Sequence, residues 1–358
     1  MPEHRPGNRP TLEAVAARAG VSRATASRVV NGGDGVRTRL ADKVREAIRD
    51  LGYVPNPAAR TLVTRRTGAV AVIIAEPEIR IFSDPFFSRQ VRGISKELTS
   101  HDTQLVLLLV EDRGDYDRID RYLAGGHVDG ALAFSLHTDD PLPAITRRIG
   151  MPTVYGGRPG WTAGPGDHGD VTYVDADNRG GARDAVRYLL ARGRKRIAHI
   201  AGPLDQTSAA DRLSGYRDVL PRADPALIAE GDFTAAGGAR AMTRLLDGNP
   251  GTAAGTRAGT DAIDAVFAGN DLMATGALRV LRERGLTVPG DVALVGFDDA
   301  ELVAEGADPP LTTVRQDVEG MGRLMAGLLL GILNGGADGR PAPGPVITAT
   351  SLVERSSA

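Results

Sequence analysis

From residue 68 onward, short apolar segments alternate with amphipathic ones, and this alternation constrains the fold more than any other feature. The first series reads as strands at Ala69–Ala75, Gln104–Val110 and Gly130–Phe134, separated by helices at Phe86–Leu98 and Asp115–Ala124. Strands that are joined through helices lie parallel in one sheet, with the helices on its faces. The sequence therefore predicts an α/β fold built on parallel sheets.

The alternation starts again after a Gly/Pro-rich stretch at residues 156–170, which predicts a second, similar lobe. Helices are expected at Asn178–Arg192 and Ala209–Val219, and strands at Arg196–Ala201, Ala265–Ala268 and Val292–Gly296. Ligands of open parallel sheets bind at the carboxyl ends of the strands, so we expect a binding site in the cleft between the lobes.

The first 67 residues differ from the rest of the chain in charge. They hold 13 basic and six acidic side chains, whereas the remaining residues hold 30 basic and 39 acidic ones. A net charge of +7 at one end against −9 elsewhere is typical of a chain whose one end neutralises nucleic-acid phosphates.

Three helices with a small common core are predicted in this basic segment. Thr11 can cap the first helix and Gly20 can end it, while Ser22 caps a second helix, Ser22–Val30. A third helix around Arg39–Leu51 closes the core. The short turn between the first two helices favours a helix-turn-helix, whose second helix is free to enter a major groove.

This head resembles the DNA-binding domain of the lactose-repressor (LacI/GalR) family, through separated motifs at residues 11–16, 19–22, 27–31 and 52–56. The resemblance implies that Arg23, Ala24 and Arg28 face base edges. Arg28 can pair with guanine and Ala24 can touch a thymine methyl, whereas Arg23 suits a phosphate as well as a base. The residues implied in holding the DNA backbone are Thr11, Ser22, Thr25, Ser27, Asn31, Tyr53 and Asn56.

Arg37 stands where this family often has Ser or Thr at the start of the third helix. This departure leaves two possibilities, a cap at Thr38 or a phosphate contact made by Arg37. The following segment resembles the family's hinge helix, with Leu62 wedged into a minor-groove step and Ala59 beside it. The alternative for Leu62 is packing onto the body.

The resemblance continues through the body and implies a two-lobed, periplasmic-binding-protein-like fold with three crossovers, near Asp175, at 300–312 and at 335–345. We expect a helix-turn-helix domain at 8–54, a hinge helix and linker at 55–67, and an effector-binding and dimerisation domain at 68–358. The expected N-lobe comprises about 68–175 and 310–335, and the C-lobe about 176–308 and 345–358.

Polar residues that follow strands match effector-contacting positions of the family. Sugar recognition needs bidentate donors and acceptors together with an apolar face for the ring. The effector residues implied are Arg212, Asn270 and Asp298, with the rings of Phe86, Phe87 and Phe233. The alternatives are ordinary core packing for each phenylalanine and a salt bridge at the cleft edge for Arg212 and Asp298.

We therefore expect a DNA-binding transcriptional regulator, specifically a repressor of carbohydrate-use genes. A sugar is the expected effector, with a purine or nucleoside as the alternative. The expected partner is a pseudo-palindromic operator duplex, bound by a homodimer or a tetramer. Candidate dimer surfaces are the apolar positions around Val91 and Ile94 and the segment Met321–Leu330.

Two rival classes fit less well. An exported sugar-binding protein needs an apolar signal segment that the start of this chain lacks, so we expect a cytoplasmic protein with no membrane partner. An enzyme needs a catalytic constellation or a phosphate loop, and we find neither motif. The chain has no cysteine, and helix capping explains the alternating Asp175 and Asp177 better than cation binding. No enzymatic activity, cofactor or metal is expected.

Overall fold

The computed structural model describes residues 10–30, 35–54, 66–160, 171–249, 251–252, 262–335 and 344–358. The chain divides into two compact units, Met1–Thr67 and Gly68–Ala358. This division coincides with the predicted start of the body at residue 68. No helix in the described ranges combines the length and hydropathy that a membrane crossing requires.

The head contains the three expected helices, α1 (Leu12–Ala19), α2 (Arg23–Val30) and α3 (Thr38–Leu51). Their facing sides bury Val15, Ala26 and Val44 completely, which gives the small segment a core.

The ends of these helices follow from local chemistry. The Thr11 side chain accepts a hydrogen bond from the Ala14 amide, and Gly20 ends α1 with a φ of 64° that few other residues adopt easily. The residue that precedes α3 is Arg37, whose side chain makes no capping bond. The predicted cap at Thr38 is wrong, because Thr38 already lies inside the helix.

The first lobe of the body is a six-stranded parallel sheet in the order β11-β5-β4-β3-β1-β2. Its strands are β1 (Ala69–Ile74), β2 (Gln104–Leu109), β3 (Gly130–Phe134), β4 (Thr153–Gly156), β5 (Tyr173–Ala176) and β11 (Val346–Thr348). The helices of this lobe are α4 (Glu78–Ser83), α5 (Pro85–Ser100), α6 (Arg113–Ala124), α7 (Leu142–Arg148) and α13 (Val318–Gly335).

The second lobe repeats this plan with the order β12-β10-β9-β8-β6-β7, in which only the pairing of β12 with β10 is antiparallel. Its strands are β6 (Ile197–Ala201), β7 (Ile228–Glu230), β8 (Ala265–Ala268), β9 (Ala293–Asp298), β10 (Thr312–Arg315) and β12 (Ser351–Val353). The helices of this lobe are α8 (Asn178–Ala191), α9 (Thr207–Val219), α10 (Ala235–Gly248), α11 (Asp271–Glu283) and α12 (Glu301–Ala304).

Sheet membership corrects the predicted lobe boundaries and two of the three crossovers. The strand β10 pairs with β9 and so belongs to the second lobe, whereas β11 pairs with β5 and belongs to the first. The crossover after Asp175 is confirmed. The other two lie between β10 and α13, at 316–317, and between β11 and β12, at 349–350. The expected crossovers at 300–312 and 335–345 are wrong.

The candidate dimer surfaces also need correction. Helix α13 packs closely against α5, where a Cβ added at Gly322 would stand 2.4 Å from the Gln90 carbonyl oxygen. Ile94, Met321 and Leu330 are buried within the core of the first lobe, and Val91 is half-buried against it. Most of the predicted patch residues therefore face the interior of a single chain, while Leu324 in the segment Met321–Leu330 is 42% exposed.

Candidate DNA-binding face and effector cavity

The residues predicted to face DNA bases lie on the exposed side of α2. Arg23, Ala24 and Arg28 are all exposed, while Ala26 on the opposite side is fully buried. The Arg23 Nε donates to the Glu13 carboxylate at 2.6 Å, and both side chains are open to solvent. An exposed ion pair contributes little stability, so this arginine can exchange its carboxylate for a phosphate or a base.

The residues predicted to hold the DNA backbone also shape the head itself. The Ser22 hydroxyl accepts a bond from the Thr25 amide at 3.2 Å and lies 2.9 Å from the Thr25 hydroxyl. Thr11 caps α1, and Ser27 and Tyr53 are half-buried, with Tyr53 packed against the head core. The remaining predicted contacts, Asn31, Asn56, Ala59 and Leu62, lie outside the described residues.

A cavity opens within the body between the carboxyl ends of the two sheets. It encloses about 870 Å³ of space, a volume that includes its open mouth. Five predicted effector residues line it: Phe86, Arg212, Phe233, Asn270 and Asp298. They come from both lobes, because Phe86 begins α5 while the others belong to the second lobe.

Phe87 does not line this cavity, so that part of the prediction is wrong. Adjacent residues of a helix point about 100° apart, and Phe87 turns into the core of the first lobe, where it is 1% exposed. Its ring stacks on Phe134 at a centroid distance of 6.3 Å and meets Phe86 edge-on.

Arg212 forms the centre of a buried polar network at the cavity wall. Its Nε donates to Asn178 Oδ1 at 2.9 Å, its Nη1 donates to the Gly269 carbonyl, and its Nη2 lies 3.5 Å from Asp298 Oδ1. The guanidinium also lies over the Phe297 ring, 3.7 Å from the centroid. Burial lowers the pKa of Arg212, and the Asp298 carboxylate counteracts this effect.

Asn270 and Asp298 are held just as firmly. The Asn270 side chain caps α11 by accepting a hydrogen bond from the Met273 amide, and it donates to the Phe233 carbonyl at 2.9 Å. Asp298 accepts a bond from Gln316 Nε2 at 2.6 Å. Phe233 and Asp298 have φ values of 63° and 105°, which are uncommon for side-chain-bearing residues and often occur at functional sites.

Further carboxyl groups line the cavity, from Asp84 at the N-terminus of α5 and from Asp175 in β5. Burial, reinforced by the negative charge of Asp298, raises the pKa of Asp84 to about 6. Burial likewise raises the pKa of Asp175 to about 6, although its carboxylate accepts bonds from two backbone amides. Asp177 caps α8 by accepting a bond from the Gly180 amide, in agreement with the capping interpretation of this alternating pair.

Several polar residues of the cavity were not predicted from the sequence. Four of them carried a signal, because Asp175, Asn178 and Gln316 lie at or just after strand ends and Asp84 lies two residues before Phe86. Arg80 had none, because α4 is a six-residue helix that the apolar pattern did not predict. The other missed polar residues include Gln90, Arg158, Gln206, Thr207 and Ser208.

Comparisons with known proteins agree with both units. Residues 11–56 match the model of bacterial regulatory proteins of the lacI family, and residues 186–358 match a periplasmic binding protein-like domain. The chain is 47% identical over 353 residues to the HTH-type transcriptional regulator CelR of Thermobifida fusca, covering 98% of both proteins.

Two solved structures extend this similarity to the fold. A complex of the transcriptional regulator CelR with cellobiose is 44% identical, with a TM-score of 0.74 over 98% of this chain and all of that one. The lac repressor dimer bound to operator and the anti-inducer ONPF is 27% identical, with a TM-score of 0.78 over 97% of this chain and 98% of that one. The chain belongs to the LacI family of bacterial transcriptional regulators.

Proposed function

We propose that this regulator is a repressor that binds operator DNA as a dimer and releases it when a sugar occupies the cavity between its lobes. The observation that carries the proposal is the cavity itself, where a fixed polar network faces aromatic rings. Arg212, Asn270 and Asp298 supply the polar side, and Phe86 and Phe233 supply the apolar side. Sugars present hydroxyl groups on their edges and C–H groups on their faces, so both sides find a match.

The similarity to CelR supports the choice of a sugar. The CelR complex contains cellobiose, and this chain aligns with it over nearly its whole length. We therefore take cellobiose as the first ligand to test. As a regulator of bacterial transcription, the protein acts in the cytoplasm.

The exposed face of α2 supports the proposed DNA contacts. Arg28 is assigned a bidentate contact to guanine, Ala24 an apolar contact to a thymine methyl, and Arg23 a base or phosphate contact. The backbone contacts proposed for Asn31 and Asn56, and the minor-groove contacts proposed for Ala59 and Leu62, remain predictions.

The buried residues of the surface predicted from sequence cannot contact a second copy. The most exposed large apolar side chains of the described body are Leu302, Ile79 and Phe82, at 89%, 80% and 70%. They lie on α12 and α4, the helices that follow β9 and β1. Burial of exposed apolar surface favours association, so we assign these side chains to the contact with a second copy.

A binding experiment at fixed salt concentration tests the proposal. An operator is first selected from random duplexes, and its affinity is then measured by fluorescence anisotropy with and without cellobiose, glucose or nucleosides. A ligand that binds the folded protein must also raise its melting temperature. We expect cellobiose to raise the melting temperature and weaken operator binding. A response to nucleosides alone would overturn the sugar assignment.

A further inference from the structure

The polar predicted effector residues already use most of their hydrogen-bonding groups on other parts of the protein, which raises the question of which residue selects the ligand. Two other residues that line the same cavity carry buried polar atoms with no hydrogen-bond partner in the part of the chain that the structure describes. These atoms are the Nε of Arg80 and the Oε1 of Gln90. A buried donor or acceptor without a hydrogen bond costs free energy, so both atoms favour a ligand that supplies the missing hydrogen bonds.

We propose that Arg80 is a specificity-determining residue of this cavity, and that its Nε donates to an oxygen of an uncharged, polyhydroxylated ligand. The inference rests on the proposed function and adds to it the residue that selects the ligand class. An arginine has only donors, so its partner must be an acceptor oxygen. A hydroxyl group can accept from one neighbour and donate to another, which also suits the unpartnered Gln90 oxygen.

The rest of the Arg80 side chain is fixed in place. Its Nη1 pairs with the Glu76 carboxylate, which is itself buried and accepts bonds from Ser135 at 2.5 Å and from Gln206 at 2.6 Å. The guanidinium carbon lies 5.1 Å from the centroid of the Phe233 ring. Gln206 and Phe233 belong to the second lobe, so Arg80 is held from both lobes and its Nε position is preorganised.

The charges around the cavity favour an uncharged ligand. Each described cationic side chain that lines it is already paired with a carboxylate, Arg80 with Glu76, Arg158 with Asp211 and Arg212 with Asp298. Asp84 adds a further carboxyl group to the wall. A phosphate group would bring a second negative charge toward these carboxylates in a partly desolvated space, which is unfavourable.

Titration calorimetry of the full chain with cellobiose tests the role of Arg80. Arg80→Met removes the guanidinium and keeps an apolar stem, and we expect about 10- to 100-fold weaker binding, as for a lost charged hydrogen bond. Arg80→Lys can still pair with Glu76 but loses the Nε donor, so it should fold and also bind weakly. Operator affinity and melting temperature report whether each variant is folded.

Arg89→Met is the matched control. Arg89 lies in the first lobe, like Arg80, and donates to the Asp298 and Asp299 carbonyls of the second lobe at 3.3 and 3.2 Å. It is not among the residues that line the cavity. We expect cellobiose affinity within about threefold of the original. Equal losses for Arg80→Met and Arg89→Met would assign the effect to contact between the lobes and overturn the inference.

Cellobiose analogues that each lack one hydroxyl group provide a readout that a purely structural role would not move. One analogue should bind the original protein less tightly than cellobiose does. Arg80→Met should bind that same analogue and cellobiose equally well, because the hydroxyl group has lost its partner. Equal penalties in both proteins for every analogue would overturn the inference, as would tighter binding of glucose 6-phosphate than of glucose.

If the original protein binds operator but no sugar, the proposed function and this inference both fail. If it binds cellobiose and Arg80→Met binds equally well, only this inference fails.

Discussion

Single residues of this protein show how the same side chain can hold the fold and face a ligand. Arg212 is 5% exposed, yet it reaches a side-chain oxygen, a backbone carbonyl and a carboxylate while lying over an aromatic ring. Removing one partner of a buried ion pair is strongly destabilising, because the other charge stays buried. Arg212 is therefore part of the scaffold as well as of the cavity wall.

The base-reading role of Arg28 leads to the first prediction. Arg28→Ala should cost about 1–3 kcal/mol of binding free energy on the selected operator and relax the preference at one base pair. The measurement is anisotropy on the operator and on single-base variants at constant salt.

Arg18→Ala is the control for Arg28, because Arg18 is an exposed head arginine on α1 that pairs with Asp50 at 2.8 Å. It should leave base preference unchanged. If Arg28→Ala weakened operator and random DNA equally, the base-reading role would be wrong.

The second prediction concerns Asp84, whose pKa is raised to about 6, chiefly by burial. Between pH 4 and 6 the folded state holds a proton that the unfolded state has lost, so this residue lowers stability as the pH rises through that window. Asp84→Asn keeps an N-cap for α5 and removes the charge. We expect it to stabilise the fold by about 2 kcal/mol at pH 7.5 and to have no effect below pH 4.

Melting temperatures over a series of pH values would measure this difference. Asp218→Asn is the control of opposite sign, since the hydrogen bond from Arg179 lowers the pKa of Asp218. That substitution should remove a small stabilisation at neutral pH. A gain for Asp84→Asn that is constant from pH 4 to 8 would contradict the linkage argument.

At the scale of secondary-structure elements, close packing of α13 against α5 shapes the first lobe. The two helices approach through glycines, since a Cβ at Gly93 would stand 2.0 Å from the Glu319 carbonyl oxygen. An amphipathic pattern predicts the helix but not its partner. For this reason the apolar face of α13 looked like a dimer surface in the sequence and is a core surface in the structure.

Two glycines of α13 provide the third prediction. Gly322 meets the Gln90 carbonyl, whereas Gly331 is exposed and faces open space. Gly322→Ala should destabilise the protein by about 1–3 kcal/mol, because backbone must move to admit the methyl group. Gly331→Ala should stabilise it by about 0.5–1 kcal/mol, because alanine is the better helix former.

The two variants differ only in position along one helix, so each serves as the control of the other. Differential scanning calorimetry would show one melting temperature falling and the other rising. If both fell, the exposed end of α13 would be covered by something beyond the single chain.

At the scale of the whole body, polar contacts join the lobes beside the cavity. His137 follows β3 in the first lobe, and Asp205 belongs to the second lobe. The Nδ1 of His137 is 2.7 Å from an Asp205 carboxylate oxygen. The Thr138 amide donates to the Asp205 carbonyl at 2.9 Å. Neither His137 nor Asp205 lines the cavity. The contacts between His137 and Asp205 therefore join the lobes, while His137 Nε2 also lies 3.2 Å from the Nε2 of Gln206, which lines the cavity.

The fourth prediction links closure to regulation. His137→Ala should weaken cellobiose binding about two- to fivefold, the effect of one lost hydrogen bond, mainly through faster release. Linkage also requires that the factor by which the sugar weakens operator binding equals the factor by which operator weakens sugar binding. Stopped-flow release and paired calorimetric titrations would measure these quantities.

A double variant sharpens this test. If His137 and Asp205 act as a pair, His137→Ala in combination with Asp205→Ala should cost little more than either single change. Additive losses would show that the two residues influence the cavity independently.

The sequence by itself determined many of the elements of this protein, because caps and apolar periodicity are local. The helix predicted at Asn178–Arg192 is observed at Asn178–Ala191, and Thr11 and Gly20 delimit α1 as expected. The family resemblance likewise predicted a cavity lined by Arg212, Asn270 and Asp298.

Only the tertiary structure decided how those elements pair and which side chains meet. Strand periodicity is the same in either sheet, so it could not show that β10 belongs to the second lobe and β11 to the first. The neighbouring rings of Phe86 and Phe87 look equivalent in sequence, yet helix geometry turns one toward the cavity and the other into the core. Arg80 enters the cavity wall through contacts with residues far away in the chain, and such long-range contacts leave no periodic signal in the sequence around them.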